Sequence, residues 1–146
     1  MSQIARKNVF ILGAGASHEF GLPTGHMLKS ELAKILDIRY GDWGNSLESG
    51  NRQLAAILRE LPELGGANEL QQHCWNIRDN MSLAPSIDNF LHTHSENIGL
   101  VGIGKIAITI AILEAEKNSK LKVKNDQNYS HALDLNTLGD TWINRL

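Results

Sequence analysis

Five consecutive residues, Gly13-Ala14-Gly15-Ala16-Ser17, follow directly on the apolar run Val9-Phe10-Ile11-Leu12. Glycines at such a junction permit positive φ and let the backbone approach a diphosphate closely, while the amides opening a following helix favour anionic oxygens. The chemistry this would serve is phosphate binding. His18 stands where the third glycine of a G-x-G-x-x-G dinucleotide fingerprint would fall, and no Gly-Lys-Ser/Thr of a P-loop follows. Taken alone, a tight structural turn accounts for the pattern equally well. A second turn, Gly21-Leu22-Pro23-Thr24-Gly25, comes three residues after Ser17. Pro23 fixes its own φ and drives Leu22 toward an extended conformation, which makes this loop stiff enough to wall one side of a ligand site.

The other residue types that do chemistry are sparse. Cys74 is the single cysteine, so neither an internal disulfide nor a four-cysteine zinc module can form within the chain. Of the six histidines, His92 and His94 are two apart, which on a helix places them on different faces and argues against a shared metal. His94 is expected in the stripe of Phe90, and His92 in solvent. His18 and His26 flank the two turns and read as surface histidines, although His26 has the position to reach a bound ribose. The lysines at 117, 120, 122 and 124 have no interleaved aromatic residues, and they read as a solvated linker rather than a nucleic-acid patch.

The elements that position these residues follow from apolar spacing. Val9–Leu12 reads as a strand buried on both faces. Leu28, Leu32, Ile35 and Leu36 recur at helical spacing after Thr24, a good N-cap. The three-glycine stretch from Tyr40 to Asn51 reads as a loop. Leu54, Ile57, Leu58 and Leu61 form another helical stripe, stopped by Pro62 and Gly65-Gly66, and Leu70, Cys74 and Ile77 suggest a third. Ser86 caps a helix that carries Asp88 in its first turn and Ile87, Phe90, Leu91 and His94 on one face. From Gly104 to about Asn118 the pattern is apolar almost all round, the mark of a helix held between other elements. Leu135, Leu138, Trp142, Ile143 and Leu146 begin one more amphipathic helix with no exit signal.

The chain has 146 residues, 42% of them hydrophobic and 21% charged, with a formal charge of -2. This balance describes one soluble globular domain and gives no basic excess for nucleic acid or anionic lipid. The apolar run Val9–Leu12 is far too short to span a bilayer, and Ile103–Leu113, the longest greasy stretch, is interrupted by Lys105 and Thr109 and reads as a buried helix. The expected setting is the reducing cytoplasm, with no membrane and no direct nucleic-acid contact.

Gly-Ala-Gly-Ala-Ser followed after three residues by Gly-Leu-Pro resembles the opening signature of the sirtuin family, in which Gly-Ala-Gly-x-Ser precedes Gly-Ile-Pro at the same spacing. The resemblance implies that Gly13, Ala14, Gly15, Ala16 and Ser17 hold the diphosphate of NAD, and that Gly21, Leu22, Pro23 and Thr24 begin the loop beside the nicotinamide ribose. Sirtuin deacetylases continue that loop with Asp-Phe-Arg and carry a four-cysteine zinc module. This sequence has Thr24-Gly25-His26 and one cysteine, so both departures point away from protein deacylation. Gly-Leu-Pro-Thr-Gly is more similar to divergent bacterial sirtuin-like domains, many of them NAD-cleaving effectors in antiphage defence. Ser86–Leu91 and the helix after Gly104-Lys105 resemble segments of that group less specifically.

The fold implied is α/β, the N-terminal portion of a Rossmann-like parallel-sheet domain, helix-rich and incomplete, with residues 1–146 forming a single truncated unit. The function implied is NAD binding and, in the complete domain, hydrolysis of NAD to nicotinamide and ADP-ribose, with a homo-oligomer or a fused sensor domain as possible partners. The family's catalytic Asn, often in Asn-Tyr-Asp after an apolar strand, and its later His have no good counterpart. Asn128-Tyr129-Ser130 follows a polar run and lacks the Asp, and His131 lacks the context of a base. Two other readings stay open. One is a non-catalytic NAD or ADP-ribose binding module. The other is an NAD(P) oxidoreductase, which needs an acidic residue ending a second strand; Asp37 has the distance but falls in a helical pattern.

Overall fold

The computed structural model describes residues 13–41, 46–120 and 141. In chain order these form α1 (Ala14–His18), α2 (Gly25–Ile35), β1 (Arg39–Tyr40), β2 (Leu47–Ser49), α3 (Arg52–Arg59), a 3-10 turn (Pro62–Leu64), α4 (Ala67–Asn80), α5 (Ile87–Thr93) and α6 (Ile98–Asn118). The described part is therefore mixed and helix-rich, and its sheet is one antiparallel pair, β1 with β2. The expected strand at Val9–Leu12 and the stripe from Leu135 to Leu146 lie outside the described residues.

Helix starts follow the capping residues. Thr24 caps α2, the Asn51 side chain accepts from Leu54 N–H at 2.9 Å, and the Ser86 hydroxyl accepts from Asn89 N–H at 3.1 Å. Each supplies an acceptor to an amide that has no partner inside its own helix. The helices expected after Thr24, across Leu54–Leu61, across Leu70–Ile77 and after Ser86 are present, the second ending at Arg59 so that Leu61 falls beyond it.

Two expectations need correction. The segment from Tyr40 to Asn51 is not a plain loop: Arg39 pairs with Ser49 and Tyr40 with Leu47, with an irregular register between the two pairs. Strands of two and three residues are too short to write an alternating pattern into the sequence. The apolar helix does not begin at Gly104 but at Ile98, where the Asn97 side chain accepts from Leu100 N–H at 2.9 Å. The glycines near its start are not stop signals. A Cβ on Gly99 would lie 2.4 Å from the Leu64 carbonyl oxygen, so glycine is what lets α6 press against the 3-10 turn.

Helix α6 is the centre of the packing. It touches α2, α3, α4, α5 and the 3-10 turn, and it buries Leu100, Ile103, Ala107, Ile110 and Ala111. Leu32, Leu36, Leu54, Leu58, Ile77 and Phe90 meet it from the surrounding helices. Each large apolar side chain buried here contributes roughly 1.5–3 kcal/mol. With 21 residues α6 is long and apolar enough to cross a membrane, but Lys105, Thr109 and Glu116 mark its outward ridge and the opposite side is core.

Candidate functional site

The two glycine turns are joined by main-chain hydrogen bonds. Gly13, extended at φ -99°, ψ 177°, precedes α1 and brings no side chain to cap it. The Ser17 carbonyl accepts from Phe20 N–H at 3.1 Å and from Leu22 N–H at 3.3 Å, and the His18 carbonyl accepts from Gly21 N–H at 2.9 Å. The chain can fold back this tightly because Gly21 sits at φ +90°, a left-handed conformation costly for other residues. Neither Gly13 nor Gly15 adopts positive φ. Their smallness serves access instead, since among the described residues no atom would come within 4 Å of a Cβ built on either.

This double turn is anchored from below. Phe20 is buried, and its carbonyl accepts from Lys120 N–H at 2.9 Å, where the chain leaves α6. On the other side Thr24 caps α2, and its carbonyl accepts from Leu28 N–H at 2.8 Å. Gly13, Ala14, Gly15 and Gly21 are exposed, while Ala16, Ser17, Leu22, Pro23 and Thr24 are half-buried. The nine residues expected at the cofactor are thus on one continuous segment with its glycines open to solvent. With only five residues, α1 has little macrodipole, so an anion there would be held by individual amides.

No protein-family model, curated protein or solved structure matches this chain. His18, His26 and His92 are exposed. His94 closes α5 as expected from its stripe: its ring lies 4.3 Å from that of Phe90, and Nδ1 is 2.8 Å from the Phe90 carbonyl oxygen. Asn128, His131 and the lysines at 122 and 124 lie outside the described residues, whereas Lys117 belongs to α6.

Asp37 is occupied elsewhere. Its carboxylate accepts from the Ser49 hydroxyl at 2.6 Å and from Arg39 Nε at 3.1 Å, and it is paired with Arg78. The Ser49 hydrogen bond above all, with Arg39 and Arg78 adding to it against a modest burial penalty, holds this carboxyl below the usual aspartate range. Placed just after α2 and spent on tying β1, β2 and α4 together, Asp37 does not end a strand as a ribose-binding acid would. Lys29 is likewise committed, donating from Nζ to the Ala84 carbonyl. His26, Lys29 and Arg78 border a shallow groove of about 250 Å³ between α2 and the end of α4.

A larger cavity, about 580 Å³, opens between α3, the 62–66 connection and α4. Ile38, Leu58, Leu70 and Cys74 form its apolar floor, and Tyr40 and Arg59 stand at its mouth. Burial pushes the Cys74 thiol up to about 12, leaving it protonated and inert at neutral pH. None of the nine glycine-turn residues lines either cavity. Sequence reasoning missed the larger one because Pro62 and Gly65-Gly66 read only as a helix stop, whereas the same break holds α3 and α4 apart.

Proposed function

We propose that this chain is a sirtuin-like NAD-binding domain of the divergent bacterial type, built on a Rossmann-like parallel sheet. Its reaction would be hydrolysis of NAD to nicotinamide and ADP-ribose in the cytoplasm, as part of antiphage defence. The observation that carries the reading is the double turn: two glycine segments at the sirtuin spacing, bonded to each other through Ser17 and Leu22, with open space above Gly13 and Gly15. A diphosphate fits such a place because nothing among the described residues blocks main-chain amides from approaching it. In this reading Gly13–Ser17 hold the diphosphate and Gly21–Thr24 face the ribose.

Cleavage of the N-glycosidic bond passes through a cation-like ribose, and an enzyme must orient the sugar and place a water. Residues 13–27 include His18 and His26 but no asparagine. A second reading, which the double turn serves equally, is a module that binds NAD or ADP-ribose without turnover.

Titration calorimetry with NAD and with ADP-ribose tests both. Gly15→Val puts a branched side chain where the diphosphate must approach, in a position with room for it otherwise. The expected outcome is affinity weakened by roughly tenfold or more, about 1.4 kcal/mol, with little change in melting temperature. Unchanged affinity would remove the cradle. Nicotinamide release on incubation of the complete domain with NAD separates the two readings: binding without release there supports the module.

A further inference from the structure

The 580 Å³ cavity between α3 and α4 falls within the size range of small-molecule sites, roughly 300–1,000 Å³, and has their usual composition of apolar walls with few polar groups. Its floor is free of charge. Ile38, Leu58 and Leu70 are buried, and Cys74, fully buried, carries a neutral thiol. The Gln71 side-chain NH₂ is already spent on the Ile38 carbonyl at 3.0 Å.

The mouth has the opposite character. The exposed Arg59 guanidinium lies over the Tyr40 ring, 5.7 Å from its centroid and within cation–π reach, which favours this placement. Among the described residues no carboxylate pairs with it, whereas Lys34, Arg39 and Arg78 each have one. Glu60 and Glu63, near in sequence, make no bond to it. Glu69 is not paired with Arg59 either: its carboxylate lies beside Gly65 at the cavity edge and 3.7 Å from His73 Nε2. An apolar hollow with one oriented, uncompensated guanidinium at its opening complements a molecule with an apolar body and one carboxylate, which Arg can take in bidentate fashion.

We propose that this cavity binds a small apolar monocarboxylic acid, its body against Ile38, Leu58, Leu70 and Cys74 and its carboxylate on Arg59. The site is separate from the glycine turns and does not depend on NAD binding.

The probe is 4-fluorophenylacetate, followed by fluorine NMR titration of the purified chain, with neutral 4-fluorophenylacetamide as the isostere lacking charge. The acid is expected to bind at millimolar concentration or below, and roughly tenfold more tightly than the amide. Arg59→Gln, an exposed change that gives up the Tyr40 contact and a favourable charge at the end of α3 and should lower the melting temperature only slightly, is expected to bring acid and amide to the same affinity. Ala67→Trp, also at an exposed position, places a bulky ring at the opening and is expected to abolish binding of both. Equal affinity of acid and amide for the unaltered protein, an acid preference that survives Arg59→Gln, or no binding of the acid at all would overturn the proposal.

Discussion

Asp37 shows how one side chain can be mistaken for a ligand contact and turn out to be a clamp. It lies at the distance from the glycines where a dinucleotide fold keeps its ribose acid, yet it spends its oxygens on Ser49, Arg39 and Arg78. Because folding lowers its pKa, the associated stability is present above the unfolded value, about 3.9, and is lost as pH falls through the lower folded value. Asp37→Asn should therefore cost about 1–2 kcal/mol at neutral pH. That deficit should shrink toward zero in urea melts below pH of about 4. A deficit that stayed constant into acid would mean that the ionised form is not what the clamp uses.

Helix α6 carries its information in its small residues as much as in its large ones. Gly99 faces the Leu64 carbonyl, a main-chain atom that cannot swing aside as a side-chain end would. Alanine there gains helix propensity of about 1 kcal/mol but meets a backbone oxygen at 2.4 Å. Overpacking of this kind costs typically 1–3 kcal/mol or more, so Gly99→Ala should lower the denaturation midpoint despite the better helix former. The same substitution at Gly25, the first residue of α2, where a Cβ meets nothing among the described residues, is the control and should be neutral or slightly stabilising. Equal effects at both positions would show that the approach of α6 to the 3-10 turn is not a tight constraint. The short β1–β2 pair belongs to this scale too: it was invisible in the sequence because its pairing is made by Asp37, Ser49 and Arg78 around it more than by any strand pattern of its own.

At the scale of the described molecule, five elements share α6 as their common wall, so a cavity at its centre should be felt everywhere at once. Ile103 is fully buried, and Ile103→Ala should destabilise by about 2–5 kcal/mol. Far-UV circular dichroism and the rate at which Cys74 becomes accessible to a thiol reagent should then report one shared transition, because Cys74 is buried on α4 against the same core. Two separated transitions would mean that α4 and α6 do not unfold as a unit.

Spacing was enough to place α2, α3, α4 and α5, with Thr24 and Ser86 marking the starts of α2 and α5, since apolar residues three and four apart state a local preference that tertiary contacts here only reinforce. The adjacency of the two glycine turns and the half-buried stacking of His94 on Phe90 were also legible, the first from the three-residue spacing and the second from the shared helix face. What the sequence could not express depends on atoms far apart along the chain. The close approach of Gly99 in α6 to Leu64 is one such pairing and the occupation of Asp37 by Ser49 and Arg78 another, whereas the start of α6 at the Asn97 cap is local and was passed over in the sequence. The hollow between α3 and α4 exists because the Pro62–Gly66 break sets two helices at a distance, and Arg59 overlooks it because Tyr40 from β1 arrives beneath its guanidinium. Local preferences are properties of neighbouring residues and can be read in order; cavities, clamps and close approaches are properties of pairs that only the folded chain brings together.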